Sequence, residues 1–598
     1  MTDSRRAILA FILIAGVLLL TPRYIRWISP KPESTEAPSE ETIPRPDTLP
    51  APKTEEVPRE AEYEPEPQLA APLAPIAQLW DEEQTVIETN FYRTAISSRG
   101  GGHIQSFELK EYRHGRSTGN VQLIHDVPRD VNLRLSYVNI AGDTIHLVNN
   151  FEVLSAPAQD SVLLSEGSLT LSYRHTFASG ARVVKTLTFQ ADSYTIPIEI
   201  RWENADRELG ISTYEIGWPN GLQPAEKVLR EDETYGKVYV YQGGELEKEG
   251  SLRKGRLNRK TLKGNTEWVA LRNKYFTSAF IANADQPGEY GAFAAVSAPY
   301  DEGGVGTENL TRYFMAMGHN AQQTVQMTLY LGPLSYFIIR DLDVDLERTM
   351  NFGFSLIRPI SKLVLLTLVF FHDFIPNYGV VLILFAIIIR ILTNPLTKKS
   401  AMSTQKMQLV QPKVKALQEK YKGNPQKLNQ EMMALWKAEG VSPFGGCLPI
   451  LIQMPVLIAL FTVFRSTIEL RGQPFVLWVT DLSVPDVVFT LPFSIPLYGS
   501  GVTILALIMG ATMFIQQKIS GAGANPQQKP MMYIMTGMFF LIFNQFPSGL
   551  NLYYAFSNIL AIFQQRNIRK HLTADTAAKP TAAPKSKPAV KPKKKKSR

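Results

Sequence analysis

The chain has 598 residues, a formal net charge of +8 and 44% hydrophobic residues, averages that fit an ordinary soluble protein. The averages hide a segmented chain: between Arg566 and Arg598 twelve Lys or Arg face Asp575 alone, a net +11 that leaves −3 for everything before it. The lone Cys447 excludes an intramolecular disulfide, and its apolar surroundings point to burial rather than reactivity.

At the N-terminus Arg5-Arg6 precedes an apolar stretch from Ala7 to Leu20, the pattern of a signal sequence. Thr21-Pro22-Arg23-Tyr24 follows, without a small-x-small cleavage site, so residues 1–28 read as an uncleaved anchor with a cytoplasmic N-terminus. Residues 29–79 are a linker, with twelve prolines between Pro30 and Pro75, many Glu and few large apolar residues. From residue 80 the hydrophobic pattern alternates with period two, as in 185–189, 195–200 and 237–241. Short strands punctuated by Gly, Asn and Asp predict a large antiparallel β-sandwich over 80–345, with no internal repeat and no catalytic constellation.

Residues 346–376 predict a helix in which Arg358 and Lys362 stand one turn apart before the apolar run 363–371. That run is short of the ~20 residues a bilayer needs, so the segment reads as an interfacial amphipathic helix ended by Pro376-Asn377. Five apolar segments follow at 378–396, 446–468, 502–518, 531–546 and 550–565; with the anchor they predict six transmembrane helices and both termini on one side. Segment 398–440 carries nine Lys against three Glu, whereas 470–495 has Arg471 against Asp481 and Asp486. The bias puts the basic segments and both termini in the cytoplasm and the β region outside.

Segment 398–440 predicts a helical hairpin. Val410, Val414, Leu417 and Tyr421 form one stripe, Leu428, Met432 and Leu435 another, and Gly423-Asn424-Pro425 the turn. A solvated antiparallel pair and a docking surface explain its lysines equally well. The Lys593-Lys594-Lys595-Lys596 run closes a tail, 567–598, too polar to pack.

The polar residues inside the apolar segments carry the functional question. Arg390, Asn394 and Lys398 recur at i, i+4, i+8 and share one helical face. A guanidinium in such a run either faces a wet cavity or snorkels to the interface, and Pro395 lies close enough for either. Gln453, bracketed by Pro449 and Pro455, and the pairs Tyr553/Tyr554 and Ser557/Asn558 are candidates for the same polar surface. The alternatives are interhelical glue for Gln453 and packing aromatics for the tyrosines.

Of eight His residues, none lies in the five later spans, which excludes a His-Glu-x-x-His protease there and disfavours a Ser-His pair. No phosphate-binding Gly-x4-Gly-Lys-Ser/Thr occurs, so the chain has no P-loop to drive work by nucleotide hydrolysis; the function reads as passive or coupled to a partner, with no cofactor or metal expected. A solute transporter with a receptor domain is a competing reading, against which stands the unbroken apolar run 380–389 on the outer side of Arg390. A scaffold acting mainly through its β domain is another.

The stretches Arg390-Ile-Leu-Thr-Asn-Pro-Leu-Thr-Lys398, Met407-Gln-Leu-Val-Gln-Pro-Lys413, Gln430 to Glu439, Pro443 to Pro455 and Phe546-Pro-Ser-Gly-Leu-Asn-Leu-Tyr-Tyr554 closely resemble the YidC-type membrane protein insertases over residues 350–566. The anchor, the linker and Arg99-Gly-Gly-Gly102 resemble the Gram-negative form with a large periplasmic domain. The resemblance implies a polytopic α-helical inner-membrane protein with six transmembrane helices, a five-helix insertase core at 377–566 and an all-β periplasmic sandwich. It implies no enzymatic activity, and a substrate groove at Arg390, Asn394, Gln453, Tyr553, Tyr554 and Asn558, open to cytoplasm and lipid. It also implies client contact through Lys398, Lys399, Lys406, Lys413 and Lys415 of the hairpin, and ribosome contact through the tail. The implied partners are nascent inner-membrane proteins, the Sec translocon, the ribosome and the phospholipid bilayer, with chaperone work alongside insertion. Two departures stand out: Ala386 where some relatives carry Thr, and a segment 489–501 longer than the corresponding loop.

Overall fold

The computed structural model describes residues 80–115, 118–124, 130–226, 232, 234–249, 258–299, 309–441, 448–520 and 529–578. The expected anchor, the linker, Cys447 and residues 579–598 of the expected tail lie outside the described residues, while 567–578, expected to be part of that unpacked tail, continue the last helix. The chain divides into two compact units, one comprising 1–351 with 466–468, the other 352–465 with 469–598.

The first unit is β-rich, as the period-two alternation predicts. Strands Gln84–Glu88, Tyr92–Ser97, His103–Arg113 and Asn120–Gln122 pair consecutively into a meander, completed as a five-stranded sheet by Ser161–Leu163. A fourteen-stranded sheet holds most of the remainder, including Arg182–Gln190, which pairs with Ser168–Thr176 on one side and Thr195–Glu203 on the other. The expectation of a purely antiparallel sandwich needs one correction: Ser161–Leu163 joins Gln84–Glu88 in parallel, a non-local pairing that no turn signal announces.

The two sheets meet at Arg99-Gly-Gly-Gly102. Gly101 has φ +71°, and a Cβ there would come within 2.6 Å of the Phe151 ring, so this approach requires glycine. Lys185, Arg272 and Lys274 are buried in this unit, and the first two donate to backbone carbonyls. Lys185 donates to Gly100 O at 2.7 Å and Leu133 O at 2.9 Å. Arg272 donates to Asn273 O, Thr349 O and Lys274 O at 2.8 to 2.9 Å. Burial pushes the Lys185 ammonium down to about 7 and the His175 and His319 rings to about 4. A short helix, α1 (Tyr336–Arg340), and a 3-10 turn at Leu346–Thr349 follow the last strand.

The second unit is helical. The expected continuous helix over 346–376 is instead that 3-10 turn followed by α2 (Arg358–His372). Gly353 breaks the path with φ +87°, and Pro359 in the first turn of α2 sets its start. Val364, Leu365 and Leu368 of α2 are buried, while Leu363, Leu366 and Phe370 are exposed, so apolar residues occupy both faces.

Five helices and a partner arm follow: α3 (Tyr378–Lys420), α4 (Pro425–Ala438), α5 (Leu448–Ser466), α6 (Ile504–Ser520), α7 (Lys529–Phe543) and α8 (Ser548–Ala578). The Asn377 side chain caps α3 by accepting from Val380 N. Asn424 does the same for α4 through Lys427 N, with Pro425 at the first helical position. Among the described residues, 378–400 is long and apolar enough to cross a membrane, and 453–466 and 504–519 are apolar but shorter. The long segment expected as a loop at 489–501 is a β-hairpin, Val487–Ile495 with Gly499–Thr503, that runs straight into α6.

Candidate functional site

Helix α3 fuses the expected first span with the first arm of the basic hairpin into one helix of 43 residues, about 65 Å long at 1.5 Å per residue. Pro395 and Pro412 lie inside it, each lacking the amide that a helix interior uses. Around Pro395 the Thr393 hydroxyl donates to Ile389 O at 2.8 Å and the Thr397 hydroxyl to Thr393 O at 2.9 Å. Both hydroxyls bond back to a carbonyl four residues earlier, whereas the carbonyl that Pro395 leaves without its amide is that of Ile391. Because the helix is continuous, Arg390, Asn394 and Lys398 do fall on one face.

Helix α8 brings the tyrosines to that face. The Tyr553 ring lies 6.0 Å from Phe385 of α3 and meets Tyr554 edge to face at 5.2 Å, and Tyr554 packs on Phe543 at 5.7 Å. Tyr553 and Arg390 are close enough to interact electrostatically. Three polar atoms in this cluster, Arg390 Nε, Tyr553 Oη and Tyr554 Oη, are buried without a hydrogen-bond partner in the protein. Unpaired buried polar atoms are costly, but the β domain holds others, Trp202 Nε1, Tyr214 Oη and His319 Nε2 among them, so what sets this group apart is the guanidinium in an apolar helix.

The other candidates are placed less uniformly. Asn394 accepts from Gln564 Nε2 of α8, a second polar tie between α3 and α8. Asn558 turns to α6 instead, donating to Thr512 Oγ1 at 3.4 Å. Gln453 is half-buried on α5, and among the described residues it makes no hydrogen bond to the other candidates. Sequence reasoning missed Gln564, although Tyr553, Ser557 and Gln564 recur at i, i+4, i+11, one face over three turns. It also missed the pair of Thr536 Oγ1 donating to Gln517 Oε1 at 2.7 Å between α7 and α6.

In the basic hairpin, Val410, Val414 and Val441 form a small core with Met407, Met432, Leu435 and Trp436 packed on it. Lys398, Lys399, Lys406 and Lys415 are exposed, whereas Lys413 is engaged with Glu439 at 2.6 Å, bridging α3 to the end of α4. No group of three or more His, Cys, Asp or Glu suited to a metal ion occurs among the described residues.

Comparison with known proteins gives this arrangement its context. Residues 84–364 match the family model described as the YidC periplasmic domain, and 370–575 match that of the 60Kd inner membrane protein. The membrane protein insertase YidC of Chlorobium limicola is 34% identical over 508 residues, covering 83% of this chain and 84% of that protein. The chain belongs to the YidC family of membrane protein insertases. The insertase of the same name from Chlorobium phaeovibrioides is 36% identical over 510 residues, 83% of this chain and 85% of its own. A crystal structure titled as an active YidC insertase with its first transmembrane domain resolved aligns at 18% identity and a TM-score of 0.33, over 82% of this chain and 94% of that one. Membership of the YidC family makes this an inner-membrane protein with a periplasmic domain, in a family of insertases rather than enzymes.

Proposed function

We propose that the α3–α8 face carrying Arg390, Asn394, Tyr553 and Tyr554 is a hydrophilic groove through which this chain inserts membrane proteins, open to cytoplasm and lipid and closed outside. The observation that carries this reading is the set of buried polar atoms on Arg390, Tyr553 and Tyr554 with no partner in the protein. Arg390 stands in an apolar stretch of a helix that runs on into exposed lysines, and its unpaired Nε beside the α8 tyrosines supports a surface kept for a client. The apolar run 380–389 on the other side of Arg390 supports closure toward the outside.

The physical task is to move a short hydrophilic segment across a barrier that charges and bare amides do not cross unaided. A polar groove partway through the membrane shortens that barrier, Arg390 attracts acidic residues of the segment, and burial of the client's own apolar helix supplies the driving force. Asn558 and Gln453 lie beside the groove rather than at its polar centre, consistent with their separate placements.

The remainder of the reading is topological. Six transmembrane helices, counting the anchor at 1–28, put both termini in the cytoplasm and the β domain in the periplasm. The hairpin at 398–440 receives nascent inner-membrane proteins through Lys398, Lys399, Lys406 and Lys415. The tail, with Lys593 to Lys596, adds salt-sensitive ribosome contact. Chaperone work and cooperation with the Sec translocon complete the proposal.

The test is insertion of a single-span substrate in cells depleted of the wild-type protein and supplied with Arg390→Ala. A fall of about tenfold or more is expected, the worth of one charge-assisted contact of ~1.5–3 kcal/mol. Unimpaired insertion refutes the role of Arg390, and insertion restored by Arg390→Lys assigns that role to charge rather than guanidinium geometry.

A further inference from the structure

The segment joining α5 to α6 is built unlike a solvated loop. Its hairpin half, and α6 after it as far as Gln517, contain no Asp, Glu, Lys, Arg or His, whereas Glu469, Arg471, Asp481 and Asp486 precede the hairpin. Its hairpin presents Phe489 at 60%, Phe493 at 61% and Leu497 at 63% exposure. Just before it, the turn Val476-Leu477-Trp478 leaves Leu477 85% exposed at φ +58°, a left-handed conformation that a branched apolar residue rarely adopts.

These side chains are held out by a fixed scaffold. Asn544, just beyond α7, accepts from Thr503 N and Thr503 Oγ1 at 3.2 and 2.8 Å and donates to Tyr498 O and Gly501 O at 2.9 and 2.6 Å. Gln545 Nε2 donates to Leu497 O at 2.9 Å. Asp486 ties the hairpin base to both neighbours, accepting from Leu505 N of α6 at 2.9 Å and from Trp478 Nε1 at 3.0 Å. A turn and a hairpin that share one carboxylate therefore expose apolar residues together.

We propose that the 487–503 hairpin and the Leu477 turn form a lipid-anchoring platform seated in the headgroup–acyl boundary of the outer leaflet. The proposal rests on the reading above that α6 spans the bilayer with its N-terminal end outward. Lipid is the occupant because the patch runs without a break into α6, whose Leu507, Ile508, Phe514 and Ile515 are also exposed. An uncharged patch gains from transfer to an apolar phase with no need for a complementary partner. The depth follows from the backbone: a two-stranded ribbon keeps unpaired edge amides, which hydrocarbon does not tolerate, but the interface does. Pro492, within the first strand, has no amide to leave unpaired.

The experiment uses the full chain with Cys447→Ser, reconstituted in vesicles of phosphatidylethanolamine and phosphatidylglycerol. Single cysteines replace Leu477, Phe493, Leu497, Leu507 or Glu199 and carry an environment-sensitive fluorophore; quenching by shallow and deep nitroxide lipids is compared with quenching by aqueous iodide. At 477, 493 and 497 a blue-shifted emission, quenching by the shallow nitroxide and loss of iodide quenching relative to position 199 are expected. Position 507 should respond to nitroxide lipid. Iodide quenching at all three platform positions with 507 still lipid-quenched overturns the platform and leaves the spanning reading standing. Protection from both quenchers means that protein covers the patch, which also overturns it. Iodide quenching at 507 itself overturns the spanning reading, and the platform with it.

Discussion

Arg272 in the β domain is buried and Arg390 in the helical unit half-buried, and the chain treats their donors in opposite ways. Arg272 is 2% exposed, and its Nε, Nη1 and Nη2 each donate to a backbone carbonyl. Lys185 is equally committed, to Gly100 O and Leu133 O. Arg390 has its Nε buried without an acceptor, beside two tyrosine hydroxyls in the same condition. A buried side chain that spends its donors on backbone carbonyls of its own fold is not presented to a client. One left unsatisfied at a helix–helix contact costs stability that packing elsewhere must offset, which is the usual mark of a functional position.

The sharpest way to break this contrast is to truncate both arginines. Arg272→Met leaves three buried carbonyls without their donor, at ~1–3 kcal/mol each. A loss of several kcal/mol in unfolding of the purified protein is expected, with insertion per folded molecule unchanged. Arg390→Met should shift unfolding by no more than ~1 kcal/mol while insertion falls about tenfold. Equal destabilisation by the two substitutions would erase the distinction.

A smaller effect sharpens the structural side. The Lys185 ammonium is held down to about 7 in the folded protein against an ordinary value of 10.5. Between these values the unfolded chain binds the extra proton, so this group makes stability rise with pH across that window, by up to ~1.4 kcal/mol per pH unit. Below about 7 the burial of its charge opposes folding in full. Lys185→Met should remove that slope from a stability series between pH 7 and pH 10; an unchanged slope would place its origin elsewhere. The buried histidines act at the other end. With folded values of about 4 for His175 and His319 against 6.5, stability should fall as pH drops from 6.5 toward 4.

The smallest effect belongs to the basic hairpin. The Lys413–Glu439 pair is 60% and 34% exposed on its two side chains, so Glu439→Gln should cost ~0–1 kcal/mol in hairpin stability. If Lys413 serves clients mainly by holding α4 against α3, Lys413→Ala should impair insertion less than the loss of exposed Lys398 and Lys399 together, measured with the same single-span substrate.

The β domain was legible in sequence because alternation over several residues has only one common explanation, and the α3–α4 turn because Asn424 and Pro425 are a cap and a first-turn residue. The parallel strand Ser161–Leu163 was not, since three residues carry no period and its partner lies far away in sequence. The 487–503 hairpin was hidden by its own composition: an apolar run without charge reads the same as loop, strand or the start of a span. For the site, spacing placed Arg390, Asn394 and Lys398 on one face, because helical geometry is local. It did not reveal that Asn558 turns to Thr512 or that Gln564 reaches Asn394, because contacts between helices depend on rotation about their axes, which no single helix encodes.

The most direct measurement is site-specific photo-crosslinking from α3 to a ribosome-stalled nascent membrane protein, comparing two faces of one helix. A photoreactive residue at Asn394, on the Arg390 face, should give strong adducts with the nascent chain, whereas one at Ile391 or Leu392, exposed at 67% and 68%, should react with lipid and give few. Adducts of equal strength from both faces, or stronger ones from Ile391 and Leu392, would contradict a polar groove on the Arg390 face as the route of insertion.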